Sequence, residues 1–356
     1  GLPWTSGLAV VFRLKWGYSL EENIPSLFEE VGDYFMVRHH YWRIVAELMV
    51  ESYFKKIRKW CDIHGLRFTG HLMGEDSLQS QIGFTGATMP QYEYMHVPGI
   101  DHLTEHLTWP IGHCPFILTP KQCSSAAHQF GKEEILAEMY GVSTQGLTFQ
   151  DRKRIGEWLM VLGINTRCLH ASFYSMRGRR KRMYVPHLSF HQPWWNDNRI
   201  IADHFARLSY SLRQGTFMGD VLVMHPVESA QGIYDNLRIK NPHDRRQEPE
   251  PMKAMLRSIV NVSENLMRIH RGFDYGDETI LGMHGKNEGA SLVVGKMSYR
   301  VVIFPDMLTL RKSTIDLLAK FAKAGGKILS CGRLPERIDG RKDKNIESFK
   351  RMIHRI

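Results

Sequence analysis

Short apolar runs alternate with amphipathic helical stretches over most of this chain, and that alternation constrains its fold more than any other feature. Val45 to Trp60 shows the helical grammar: Val45, Leu48, Met49, Tyr53, Ile57 and Trp60 recur at three- and four-residue spacings, predicting a helix that buries one face. His64-Gly65 ends it, and Leu66–His71 reads as a short strand entering a polar loop. Further strands are predicted near Glu93–Leu103, Gln122–His128, Ile135–Tyr140, Ile164–Ala171 and Val221–His225. Helices fit between several of them, most clearly at Arg152–Leu162 and Ile200–Arg213. This order predicts the α/β class, a parallel sheet with helices outside.

A closed (β/α)8 barrel needs two strands more than these six, and the reading places them ahead of Gly1. An open doubly wound sheet could use six. The strand ends favour the barrel, because His71, Asp101, His128, Glu138, His170 and His225 all fall at or just beyond predicted carboxyl ends. A barrel gathers those ends at one mouth, whereas an open sheet spreads them along a line. The opening Gly1-Leu2-Pro3-Trp4 has no initiator Met and no charged-then-apolar leader, which suggests a processed chain or a piece of a longer one. Residues 236–250, polar and carrying Pro242 and Pro249, read as a linker or long surface loop. A helix from Pro251 to His270 follows, then strands at Leu292–Val294 and Tyr299–Phe304, a helix from Ser313 to Ala324, Gly325-Gly326 and a strand at Lys327–Ser330. A helix, a Gly-Gly stop and a buried strand mark a small open α/β domain. The expected architecture is an incomplete (β/α)8 TIM-type barrel over 1–245, lacking its first strands, and a small open flavodoxin-like α/β domain over 251–356. That Gly-Gly follows a helix rather than opening one, so it offers no phosphate cradle.

Composition narrows the functional classes. Apolar residues at 43% and charged residues at 24% exclude a disordered or fibrous chain, and no apolar run reaches the roughly 18 residues of a membrane span. The net charge of +10 permits contact with nucleic acid or anionic surfaces without requiring it. Much of the excess lies in Arg177, Arg179, Arg180, Lys181 and Arg182, which a solvated or carboxylate-paired loop would also explain. Cys61, Cys114, Cys123, Cys168 and Cys331 are odd in number with no C-x-x-C pair, which argues against a disulfide framework or a Cys-rich zinc site. Walker, dinucleotide-fingerprint, zincin and nucleophile-elbow motifs are absent from the sequence.

Four segments could carry chemistry. His71-Leu72-Met73-Gly74-Glu75-Asp76 follows a strand with an imidazole and two carboxylates, able to bind hydroxyls, orient a water or hold a cation; a capped surface loop would look the same. Ile135–Gly141 carries Glu138 inside an apolar run, and a buried carboxylate is costly unless paired, ligated or used. Gln122, His128 and Gln129 could share its mouth, and a structural salt bridge is the plainer alternative for Glu138. Tyr184–Trp195 concentrates aromatics, with Trp194 and Trp195 suited to stacking on sugar rings or bases, or to packing over the barrel rim. His225-Pro226-Val227-Glu228-Ser229 closes the last predicted barrel strand with another imidazole and carboxylate.

Phe68 through Asp76, Pro98-Gly99-Ile100-Asp101, Lys121-Gln122 through Gly131, Glu138-Met139-Tyr140-Gly141 and His225 through Ser229 together resemble the bacterial glycoside hydrolases related to α-L-rhamnosidases. Trp4-Thr5 and Trp16-Gly17-Tyr18 also fit, as does Val302-Ile303-Phe304-Pro305 with Ala324-Gly325-Gly326 for the family's small α/β domain. The resemblance runs in order along nearly the whole chain. It implies inverting hydrolysis of a glycosidic bond by two carboxyl groups, with Glu138 at the general base. The family's acid sits in an Asp-Glu-Pro segment that this chain lacks, which points to truncation and puts activity of this piece in doubt. With Glu75 as the first suspect for a second carboxyl inside the chain, the substrate-binding set becomes His71, Asp101, Gln122, His128, His170, Tyr174, Trp194, Trp195, His225 and Glu228. No cofactor is required, although some family members hold calcium. The expected partner is a glycoside, with neither nucleic acid nor membrane. The rivals are a non-catalytic carbohydrate-binding relative and, more distantly, a single-stranded nucleic-acid binder.

Overall fold

A computed structural model describes residues 2–108 and 116–356; Gly1 and Cys114 lie outside the described residues. Four strands, β1 (Thr69–Gly70), β2 (Val97–His102), β3 (Leu136–Met139) and β4 (Thr166–Leu169), form a parallel sheet in the order β1-β2-β3-β4. Spatial order follows chain order without reversal, with helices Leu118–Phe130 and Phe149–Val161 in successive crossovers. The register Asp101↔Glu138↔Cys168 sets these three residues on one face.

The second sheet has five parallel strands. It runs His354–Arg355, Lys327–Ser330, Val301–Phe304, β5 (Val221–Met224) and β6 (Phe273–Gly276). Counted along the chain this order is 2-1-3-4-5, that of an open doubly wound sheet. It corrects one expectation directly: Val221–His225 is not a barrel strand but the first strand of this other sheet, paired with Val301–Ile303 on one side and Phe273–Gly276 on the other. Val-Leu-Val-Met is fully buried on both faces, and such a run has the same appearance in a barrel wall as in an open sheet.

Gln122–His128 is likewise helical rather than extended. Lys121, Ser125, His128 and Gln129 recur at helical spacing, and that polar stripe covers the free edge of β6. Lys121 Nζ donates to the Phe273 carbonyl at 2.7 Å, Ser125 Oγ accepts from Tyr275 N at 2.8 Å, and Gln129 Nε2 donates to the Tyr275 carbonyl at 2.9 Å. An edge that would otherwise invite another strand is thereby satisfied by side chains.

The predicted helix over Val45–Trp60 belongs to a longer run, Tyr34–Met49, a π-helical turn Val50–Phe54, and Lys55–Ile63. The wider π turn shifts the helical phase by about one residue. Phe54 and Cys61 are therefore buried, while Tyr53 and Trp60, placed inside by a constant 3.6-residue period, are exposed. Residues 236–250 are docked rather than free: Gln79 Nε2 donates to the carbonyls of Pro242 and Asp244, at 2.9 and 3.0 Å. Among the described residues no helix is long and apolar enough to cross a membrane, and Cys61, Cys123, Cys168 and Cys331 are free thiols.

Candidate functional site

Three adjacent parallel strands deliver three side chains to one point. His71 follows β1, Asp101 lies near the carboxyl end of β2, and Glu138 sits directly across from it on β3. One ligand-type atom from each lies within 4.8 Å of the other two, and His71 Nε2 is 3.2 Å from Glu138 Oε2. Two carboxylates so close repel each other unless a proton or a cation intervenes. Burial, with Glu138 adding to it, pushes Asp101 up to about 6. Burial disfavours charge on His71, but the Leu72 carbonyl and the carboxylates of Asp101, Glu75 and Glu138 outweigh it, so its pKa stands above the ordinary value. The cluster can therefore hold a proton near neutrality.

Glu75 supports this arrangement from below. Its Oε1 accepts from Leu72 N at 3.1 Å and Tyr92 Oη at 2.6 Å, and its Oε2 accepts from Asp101 N at 3.1 Å. Burial raises its pKa to about 7. Glu75 thus ties the loop after β1 to β2, with both oxygens occupied by protein donors. Gly74 makes the preceding bend: its φ of +73° is left-handed, and a Cβ there would stand 2.7 Å from Phe84. Glu75 and Asp101 also line a cavity of about 500 Å³ walled by Leu72, His102, Phe116 and His243.

His170 follows β4 and packs against the loop after β3; a Cβ on Gly141 would lie 2.8 Å from its ring. Its charge bears on Asp101. Of the residues expected at the mouth, the structure brings together His71, Glu75, Asp101, Glu138 and His170. The remainder lie elsewhere. Gln122 is buried and donates to the Glu75 carbonyl at 2.9 Å, holding the backbone of the site without facing it. His128 turns to the other sheet, its Nδ1 2.8 Å from Asp274 and its ring stacked on Phe217. Trp194 packs on Phe149 and under the Arg152 guanidinium, so it covers the Phe149–Val161 helix; Trp195 and Tyr174 are exposed.

His225 and Glu228 move with β5 into the second sheet. Burial holds His225 down to about 3, and Glu228 is enclosed by Arg311, His39 and Arg43. Glu228 is thus satisfied by guanidinium groups and an imidazole within the second sheet's surroundings, away from the cluster of His71, Asp101 and Glu138. Tyr92 and His243 carry no such signal in the sequence. Tyr92 lies in a four-residue helix, Met89–Tyr92, too short for a periodic pattern, and His243 sits in the stretch read as linker.

The model of the α-L-rhamnosidase family, glycoside hydrolase family 106, matches residues 1–245. A protein of Formosa agariphila named "Putative beta-glucuronidase" is 24% identical over 343 residues, covering 92% of this chain and 25% of its own length. Among solved structures, a rhamnosidase from Novosphingobium sp. PP1Y superposes with a TM-score of 0.67 at 16% identity, over 98% of this chain and 32% of that one. A β-galactosidase from Bacillus circulans sp. alkalophilus superposes with a TM-score of 0.63 at 13% identity, over 96% and 51%. The chain therefore spans about a quarter of the curated relative and a third of the rhamnosidase.

Proposed function

This chain belongs to the α-L-rhamnosidase family of glycoside hydrolases, and from that premise we propose that it forms the catalytic face of an enzyme cleaving a terminal α-L-rhamnoside or a related glycoside. The observation that carries the reading is the convergence of His71, Asp101 and Glu138 from three adjacent strand ends. In this reading β1 to β4 are an arc of a (β/α)8 barrel, and the barrel unit gives way to the open α/β unit ahead of Val221 rather than at 245.

Glu138 acts as general base, drawing a proton from the attacking water while His71 holds its other side. Asp101 is too near Glu138 to be the acid of an inverting pair, since inversion needs carboxyl groups roughly 6.5–9.5 Å apart to admit a water. Glu75 is engaged by three protein donors, so its role is to position Asp101. As the resemblance to the family implies, the acid that protonates the leaving group is supplied from the rest of a longer protein. Were a calcium ion to bind, Asp101 and Glu138 would hold it through their oxygens with His71 a weaker donor, and its charge would offset that of the two carboxylates.

The test is hydrolysis of an aryl α-L-rhamnoside by the full enzyme and its Glu138→Gln variant, with the anomer of the first product read by NMR. Inverted product and a collapse in turnover support the reading. Retained configuration, or binding of the sugar with no turnover in the wild type, would reject it.

A further inference from the structure

The segment between β4 and the helix Asn198–Leu212 has a composition that packing does not explain. From Ala171 to Asn196 it contains Arg177, Arg179, Arg180, Lys181 and Arg182 and not one Asp or Glu. All five cations are exposed, gathered in and beside the single 3-10 turn Gly178–Arg182, and among the described residues none forms an ion pair with a carboxylate. Among the described residues isolated exposed cations are unpaired elsewhere too, Lys320 and Lys323 among them, but here five stand within six consecutive positions. Concentrating like charges without partners costs stability, so the turn is suited to an external anion.

Its anchorage places that charge beside the proposed active site. Ser143 N donates to the Val185 carbonyl at 3.0 Å, and Gln145 Nε2 donates to the Lys181 carbonyl at 3.2 Å. Ser143 and Gln145 belong to the loop leaving β3, the strand of Glu138. Tyr184 lies 6.0 Å, ring to ring, from His170, which follows β4 and bears on Asp101. The cationic turn thus hangs from the same carboxyl-end loops that frame the carboxylate cluster. The cluster itself is acidic and unsuited to an anionic sugar, so the two features divide the work: one cleaves, the other reads a neighbouring residue.

We propose that this turn binds acidic groups on the glycan adjoining the cleaved sugar, so that the substrate is an anionic oligosaccharide. The acidic group is a uronic carboxylate or a sulfate ester, oxyanions that planar guanidinium groups grip through paired hydrogen bonds. Exposed Tyr174 and Tyr184 flank the turn and offer apolar faces to the intervening ring. The proposal rests on the glycosidase reading above.

Binding by the intact chain is measured calorimetrically with short oligogalacturonate, carrageenan and neutral galactan oligomers and a single-stranded DNA oligomer. At least one acidic oligomer should bind roughly tenfold tighter than the neutral one at low salt, and the advantage should collapse toward about 0.3 M salt. The joint substitution Arg179→Gln and Arg180→Gln should abolish the advantage, whereas Lys320→Gln with Lys323→Gln, an equal charge change on the helix Lys312–Lys323, should preserve it. Preference for oligogalacturonate assigns the carboxylate, and preference for carrageenan assigns the sulfate. Equal affinity for acidic and neutral oligomers, indifference to the arginine substitutions, or DNA bound as tightly as either glycan would overturn the proposal. Because binding needs no turnover, failure to cleave a rhamnoside strikes only the glycosidase reading, and loss of the acidic preference strikes only this one.

Discussion

Glu228→Gln should cost about 3 kcal/mol of stability at neutral pH, near the lower end of the roughly 3–5 kcal/mol typical when one partner of a buried ion pair is removed. Glu228 Oε1 accepts from Arg311 Nε at 2.6 Å and is also paired with Arg311 Nη2; Oε2 lies 2.9 Å from His39 Nε2 and 3.8 Å from Arg43 Nε. Burial alone would raise this carboxyl, but Arg311, Arg43 and His39 hold it well below the usual carboxylate range. Glutamine keeps the shape, removes the charge and turns an N–H toward donors, leaving Arg311 buried without its main partner. Part of the loss is recovered locally. Burial and then Glu228 push Glu278 up to about 8, so Glu278 is largely protonated at neutral pH; once Glu228 is gone it can ionise toward Arg311, whose backbone N it already receives at 2.7 Å. A loss of about 3 kcal/mol multiplies the unfolding constant on the order of 10²-fold. Urea unfolding followed by tryptophan fluorescence measures it. The double change Glu228→Met with Arg311→Met should lose less than Arg311→Met and Glu228→Met summed, since charge and counter-charge leave together. A single-variant loss under about 1 kcal/mol, or a strictly additive double, would refute the reasoning.

Glu138→Gln in the full enzyme should lower turnover about 10²–10⁴-fold with little change in KM, checked by initial rates; a loss under about tenfold would leave Glu138 structural. Glu278 has a folded pKa raised above its unfolded one, so the stability it permits is fully present below about pH 4.5 and is lost as pH rises through about 8. Glu278→Gln should accordingly flatten the fall in stability between those values and gain roughly 1–3 kcal/mol at pH 8, read from urea midpoints across pH; an unchanged slope would reject the assignment. Gly141→Ala should cost about 1–3 kcal/mol, because its Cβ would meet both Leu103 and His170 inside contact distance, and it should reduce activity by displacing His170. Thermal melts alongside rates check this, and a silent substitution would show that the loop yields freely.

Period and composition were enough to read an α/β chain, the strands at β2 to β4 and the helices Phe149–Val161 and Asn198–Leu212 within a few residues, because 2.0- and 3.6-residue periods are local properties of the backbone, although the helix Leu118–Phe130 reads as a strand. Glu138 stands out in the sequence as a lone carboxylate in an apolar strand, but its side chain is 26% exposed in the structure, so what marks it there is its meeting with His71 and Asp101 rather than a burial cost. Three outcomes needed the folded chain. Val221–Met224 reads identically in either sheet, and only its pairing with Val301–Ile303 and β6 decides that His225 and Glu228 leave the mouth. The stripe Lys121, Ser125, Gln129 is helical by spacing, yet its purpose depends on the edge of β6, about 150 residues away. The meeting of His71, Asp101 and Glu138 depends on register between neighbouring strands, and a one-residue slip would send one carboxylate to the opposite face. The chain's own sequence determines which segments become strands and where costly side chains fall within them; which strands become neighbours is settled by long-range packing, whose energy no local period encodes.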